Sequence, residues 1–224
     1  MSGILHKCDS CGHNTSNADY ICDKCDAEIA IVIAPTYTDF WANSGANKIN
    51  FIFSNYCTGK INLSDAKFLD IWGPIMEDDF ANHTTSEHLF QAAKYIYPGA
   101  SDSHVKYGKT ILSMTTANRA KALGSNSNPA YSDKQKAQIL NIKKTRPSHI
   151  RPNWDNLRDK IMFVILCVKF GDKNPHLQKR LIDTGDSIIR EVSPYDNYWG
   201  TGKDMKGLNK LGKLLMKVRN KIRQ

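Results

Sequence analysis

With 224 residues, 41% of them hydrophobic and 24% charged, the chain has room for one full core and a small accessory module, in the composition of an ordinary globular protein. Its longest apolar run, Ile161 to Val168, falls well short of the roughly 20 residues a membrane helix needs, and Met1 to Cys8 lacks the apolar stretch of a secretory leader, so a cytoplasmic, reducing location without membrane contact is expected. The net charge of +9 is uneven: residues 1–30 hold two basic against five acidic side chains, so residues 31–224 carry +12 and suit a polyanion such as a nucleic acid or a phosphate-bearing nucleotide.

Cys8-x-x-Cys11 and Cys22-x-x-Cys25 come first. Each pair sets two thiolates on one side of a tight turn, and two such turns make a tetrahedral sulfur cage. A four-cysteine zinc ribbon over residues 1–28 is expected, with a structural Zn²⁺ holding together a segment too short for its own core. Residues 29–224 then form the main domain. Ile29 to Ala34, closed by Pro35, reads as a buried strand, and 37–48 as a polar loop. Asn50 to Phe53 is a second apolar run, and 57–83 is irregular.

Helical signals dominate the rest. Ser86 to Tyr97 reads as a helix stopped by Pro98-Gly99, and Ile111 to Leu123 as another stopped by Gly124. A loop over 125–131 leads to a basic helix or arm around Lys134 to Lys144. Trp154 to Phe170 is a clear helix, with Leu157, Ile161, Ile165 and Val168 on one face. His176 to Asp183 is a short helix, and Ile188 to Val192 a short strand. The final helix covers about Leu208 to Ile222, with Leu208, Leu211, Leu215, Val218 and Ile222 on its apolar side. The expected fold class is therefore mainly α with a few short β-strands.

Two segments carry candidate chemistry. In Thr84-Thr85-Ser86-Glu87-His88, Glu87 stands where a capping box with Thr84 would use it. It also shares one helix face with Gln91 and Lys94, at i, i+4 and i+7, and that trio suits a polar ligand. In Ser193 to Gly202, Tyr195, Tyr198, Trp199 and Asp196 crowd a Gly-flanked loop. Aromatic faces there either stack on a nucleobase or fold back over the core. Trp154 has the same two readings, as base platform or core anchor.

Thr85-Ser86-Glu87-His88-Leu89-Phe90-Gln91-Ala92-Ala93-Lys94 resembles the T-S-E-H-aromatic-F-Q-A-x-K signature of the NADAR family of YbiA-like N-glycosidases. Phe53-Ser54-Asn55 precedes it. Ala120 to Gly124, Asn153-Trp154, Lys169-Phe170, Thr184-Gly185-Asp186, Asp196-x-Tyr198-Trp199-Gly200-x-Gly202 and Gly207 to Arg219 follow in family order, so the resemblance covers about residues 30–222. It implies a helical domain that hydrolyses N-glycosidic bonds of ribose. The family's substrates are phosphorylated ribosylamino-pyrimidines or ADP-ribose on guanine. Carried onto this chain, the important acids are Glu87 and Asp196, the important Trp is Trp154, and the signature Lys is Lys94. Trp199, Tyr198, Asn55, Gln91 and Asp186 complete the expected contacts.

Cleavage of a C1′–N bond builds positive charge on the ribose, which a carboxylate stabilises while it or another activates water. Lys94 has two roles open to it, a point charge for phosphate or an amine that attacks an opened ribose aldehyde. The chain departs from the family at Ser125, where relatives often carry Arg, in the long gap before the signature, and in the expanded basic stretch 125–150. The expected ligand is ADP-ribose or a ribosyl phosphate. DNA or RNA is the expected partner, bound along 133–151 and the C-terminal helix. The leading expectation is removal of ADP-ribose from guanine. A small-molecule N-glycosidase and a non-catalytic ADP-ribose-binding module are the alternatives.

Overall fold

The computed structural model describes residues 6–7, 14–15, 35–41, 48–57, 69–72, 85–126 and 131–224. The chain divides into two units, Met1–Thr36 and Tyr37–Gln224. In the first, β1 (His6–Lys7) pairs antiparallel with β2 (Asn14–Thr15), joining residues on either side of Cys8-x-x-Cys11. The cysteines expected to hold zinc and the strand expected at Ile29 to Ala34 lie outside the described residues.

The second unit is mainly helical. β3 (Tyr37–Phe40) runs parallel to β4 (Ile188–Glu191), Tyr37 opposite Ile188 and Phe40 opposite Glu191. β4 is the strand expected from the sequence, whereas β3 falls in the stretch read as loop. Tyr37-Thr38-Asp39-Phe40 becomes a strand because β4 supplies its partner, a long-range cause that local polarity does not report. Arg190 reinforces the pair by donating from Nε and Nη2 to the two carboxylate oxygens of Asp39, at 2.7 and 2.8 Å. The apolar run at 50–53 lies in a 3₁₀ helix (Lys48–Phe53) that sends Phe53 into the core, its ring centroid 6.0 Å from Phe40 and 6.2 Å from Phe170.

The short helix α1 (Leu69–Trp72) lies in the segment read as irregular and buries Ile71 and Trp72. α2 (Ser86–Ala92) is shorter than expected, because the chain leaves it in turns that return Lys94 N–H to Gln91 and Tyr95 N–H to Ala92. The single helix expected over 111–123 is two helices, α3 (Asp102–Leu112) and α4 (Ala117–Gly124). The break follows from Ser113-Met114-Thr115-Thr116. The Ser113 hydroxyl donates back to Thr110 O at 2.9 Å, and the Thr116 hydroxyl accepts from Arg119 N–H as a new N-cap.

α5 (Asp133–Lys143) starts in a Ser132–Gln135 capping box and buries only Ile139. α6 (Trp154–Lys169) and α7 (Pro175–Ile182) fall where the sequence puts them, α6 burying Ile161, Ile165 and Val168 of its expected stripe. α8 (Lys210–Ile222) begins two residues after Leu208, which is exposed instead of packed. The cause is Asn209, held left-handed at φ 48°. Its amide donates to Ile189 O and accepts from Glu191 N–H, which docks α8 on β4. Among the described residues no helix is long and apolar enough to cross a membrane.

Candidate active site

Every residue of α2 is buried, including Ser86, Glu87, His88 and Gln91. Polar groups taken from water need partners. The cap is made by Thr85 and His88, not by Thr84 and Glu87: the Thr85 hydroxyl accepts from His88 N–H, and His88 Nδ1 accepts from Thr85 N–H, both at 3.4 Å. The His88 Nε2 side meets Met114 O at 2.9 Å, and burial lowers the His88 pKa. His88 is thus a structural pin, and Glu87 is released from capping.

The Glu87 backbone N–H donates to Asn55 O at 3.0 Å. Its carboxylate, on a residue only 6% exposed, accepts from Gln91 Nε2 at 2.8 Å. Gln91 Oε1 in turn accepts from Lys94 Nζ at 2.6 Å, and Lys94 also donates to Gly124 O at 2.8 Å. The i, i+4, i+7 face is therefore one connected chain of carboxylate, amide and amine. Gly124 is required beside it, since a Cβ there would overlap the Gln91 side chain. Burial pulls the Lys94 pKa down to about 8, against the opposing pull of Glu87 and with help from Arg146, Lys121 and Arg158.

This chain forms one wall of a cavity of about 360 Å³. α4 adds Asn118 and Lys121 and its C-cap adds Ser125, and α6 adds Trp154, Arg158 and Met162 from one face. The turn after the 3₁₀ helix brings Asn55 and Tyr56; β4 brings Glu191 at its end, and the following loop brings Tyr195, Asp196 and Trp199. Asp196 Oδ1 accepts from the N–H groups of Tyr198 and Trp199 at 2.9 and 2.7 Å, so the loop folds around its own carboxylate. Phe90 packs between Trp154 and Trp199, with centroids 5.1 and 5.2 Å away. Trp41 and Tyr195, 6.1 Å apart, complete the aromatic lining, and Tyr195 is 86% exposed.

Among the described residues, two lining groups hold buried acceptors without a hydrogen-bond partner, Asn55 Oδ1 and Glu191 Oε2. Burial, then the negative field of Asp196, pushes the Glu191 carboxyl up to about 8; Lys121 opposes this and Glu87 adds to it. Burial and the Glu87 charge also raise the Tyr56 hydroxyl. Polar residues with unpaired acceptors in a cavity wall suit a ligand rich in hydroxyl donors, as a ribose is.

Of the residues singled out from sequence, Glu87, Gln91, Lys94, Asn55, Trp154, Trp199 and Asp196 line this cavity. Tyr198 and Asp186 do not. The Tyr198 hydroxyl donates to Asp159 at 2.6 Å, and its ring lies 3.8 Å from the Arg158 guanidinium, so it braces the wall from behind. Asp186 is a surface group bonded to Arg223 at 2.8 Å, which holds its carboxyl below the usual range. Sequence reasoning missed Glu191, Lys121, Arg158, Trp41 and Tyr56. Two had a signal. Arg158 stands one helical repeat after Trp154, and Glu191 is two residues after the fully buried Ile189, on the same side of the strand.

The NADAR domain description matches residues 40–223, most of the chain. This chain belongs to the NADAR family. Similar proteins include "N-glycosidase Npun_R5314" of Nostoc punctiforme, 34% identical over 62% of this chain and 74% of that protein. "N-glycosidase YbiA" of Escherichia coli is 28% identical over 62% of this chain and 69% of that protein. "Riboflavin biosynthesis protein PYRR, chloroplastic" of Zea mays is 28% identical over 76% of this chain, which spans only 23% of the maize protein. The NMR structure of E. coli YbiA shares the NADAR fold seen here, with a TM-score of 0.56 at 25% identity, covering 86% of this chain and 88% of that one.

Proposed function

We propose that this NADAR chain is an N-glycosidase that hydrolyses the bond between a ribose and a nitrogen base, and that its substrate is ADP-ribose attached to guanine in nucleic acid. The observation that carries the reading is the meeting of Glu87 and Asp196, distant in sequence, in one cavity with Lys94 and a set of aromatic rings. As the C1′–N bond lengthens, a carboxylate beside the ribose stabilises the growing positive charge, and a carboxylate also orients and deprotonates water. Lys94, Lys121 and Arg158 supply positive charge for phosphate, and the aromatic lining supplies faces for the base. The names of the bacterial relatives agree with the reaction class.

The preference for nucleic acid is supported by the basic flank of α5. Lys143 donates to Ser125 O and Arg146 to Asn126 Oδ1, both at 3.2 Å, so this flank is tied to the end of α4, where Ser125 lines the cavity. Incubation with guanine-ADP-ribosylated DNA releases free ADP-ribose, and Glu87→Gln does not. Equal release by both proteins contradicts the catalytic assignment. A second reading, hydrolysis of ribosylamino-pyrimidine phosphates, is favoured by the name of the maize relative. In that case long DNA does not compete with the substrate. The four N-terminal cysteines hold one structural zinc in this proposal, supported by their spacing and by the β1–β2 pairing around Cys8-x-x-Cys11.

A further inference from the structure

A base leaving as an anion is a poor leaving group, so the proposed reaction needs a proton donor. Among the described residues, three carboxyl groups line the cavity, and the structure surrounds them differently. Glu87 accepts from an amide N–H and Asp196 from two backbone N–H groups. Glu191 has Oε2 sealed from solvent and, among the described residues, without a donor. Its backbone is fixed: its N–H donates to Asn209 Oδ1 at 3.0 Å, and its carbonyl accepts from Thr201 N–H at 2.8 Å. A carboxylate with one oxygen dry and without a donor is costly, whereas a carboxylic acid brings its own O–H.

We propose that Glu191 is the general acid, whose carboxyl O–H delivers the proton to the nitrogen of the departing base. This rests on the N-glycosidase reading. The groups around Glu191 favour the acid form at neutral pH. Burial acts first, then Asp196 from the adjoining loop and Glu87 from α2, and together they outweigh Lys121 from α4 and raise the carboxyl to about 8. Tyr56 also faces it. On the strand's other neighbours the charges are engaged elsewhere, Arg190 with Asp39 of β3 and Lys210 of α8 with Asp159. In the reaction the C1′–N bond breaks and its electron pair goes to the base nitrogen, which takes the Glu191 proton. Water forms the new C1′–O bond and gives its proton to Glu87 or Asp196, and solvent exchange returns a proton to Glu191. Environments that separate the carboxyl groups in this way divide acid from base.

The test uses the full chain and two probes, ADP-ribosyl guanosine and 4-nitrophenyl ADP-riboside, whose nitrophenolate departs unprotonated. Glu191→Gln lowers kcat on the guanosine by about 10²–10³-fold. On the nitrophenyl compound its loss is at least about ten times smaller. In the wild type, the ratio of kcat on the guanosine to kcat on the nitrophenyl compound falls as pH rises through about 8, a ratio that cancels the loss of Lys94 charge common to both probes. Equal losses on both probes, or none, overturn the assignment. Should Glu191→Gln fail to fold, the wild-type profiles decide, and a rate ratio that stays constant with pH overturns it. A wild type that cleaves neither probe overturns the ADP-ribosyl substrate on which this assignment rests. One that cleaves both, alongside an unimpaired Glu191→Gln, overturns only the role of Glu191.

Discussion

α2 and α5 are opposite solutions to the same problem of placing polar side chains on a helix. All of α2 is buried, yet it carries Glu87, His88 and Gln91, each with a specific partner. α5 is longer, basic and exposed, and buries only Ile139. Surface charge costs a protein almost nothing and contributes little to stability. A dry polar stripe is costly unless every member is satisfied, and it is the kind of arrangement a reaction centre uses. The two helices therefore differ in what a mutation there should break: chemistry and stability together in α2, ligand attraction alone in α5.

The largest effect is expected from Gln91→Leu, which removes the link between Glu87 and Lys94. It should cost about 2–3 kcal/mol in urea unfolding, since two buried polar groups lose a partner, and about 10²-fold in kcat. A stable, active Gln91→Leu would reduce α2 to an ordinary packed helix.

Next in size is a pH signature. The Glu191 carboxyl is raised from 4.5 to about 8, so between these values the folded state holds a proton that the unfolded state has lost, and stability falls as pH rises. Lys94 and Lys169 are both lowered from 10.5 to about 8, chiefly by burial. Between about 8 and 10.5 the unfolded state binds more protons at these two amines, and stability rises. Chemical unfolding across this range should therefore show a minimum near pH 8. Glu191→Gln flattens the acid side of it. Lys169→Met, which removes the fully buried amine bonded to Ser54 O at 2.7 Å, flattens the alkaline side.

Smaller effects are expected on α5. Lys134→Ala with Lys136→Ala should change unfolding free energy by less than about 0.5 kcal/mol, while lowering the slope of log affinity for DNA against log salt. A large loss of stability there would erase the contrast with α2. The smallest effect belongs to the N-terminal unit. Elemental analysis should find one zinc per chain, and Cys22→Ser should lose it while leaving catalytic turnover largely intact.

Much of this contrast was legible in the sequence, because helical spacing is a local property. Glu87, Gln91 and Lys94 fall on one face by arithmetic, and the stripe of α6 is equally plain. What eluded the sequence depends on distant partners. β3 is a strand only because β4 lies beside it, and Glu191 enters the cavity only because that pairing and the Asn209 amide fix its backbone. The capping pattern misled by one residue. Thr84 and Glu87 have the right spacing, but the burial of His88 and its bond to Met114 O make Thr85 the cap. Asp186 matched a family motif, yet its place near the end of α7 leaves it on the surface with Arg223.

The most direct test is a single-turnover assay of N-ribosides, read by mass spectrometry, with wild type, Glu87→Gln and Asp196→Asn in parallel. The account predicts free base and the matching ribose product from the wild type, and a rate about 10³-fold lower from each variant; both variants stay folded, because the amide oxygen keeps the accepting position of the carboxylate it replaces. Undiminished turnover in both variants would contradict it, because the cavity's converging acids would then have no part in breaking the bond.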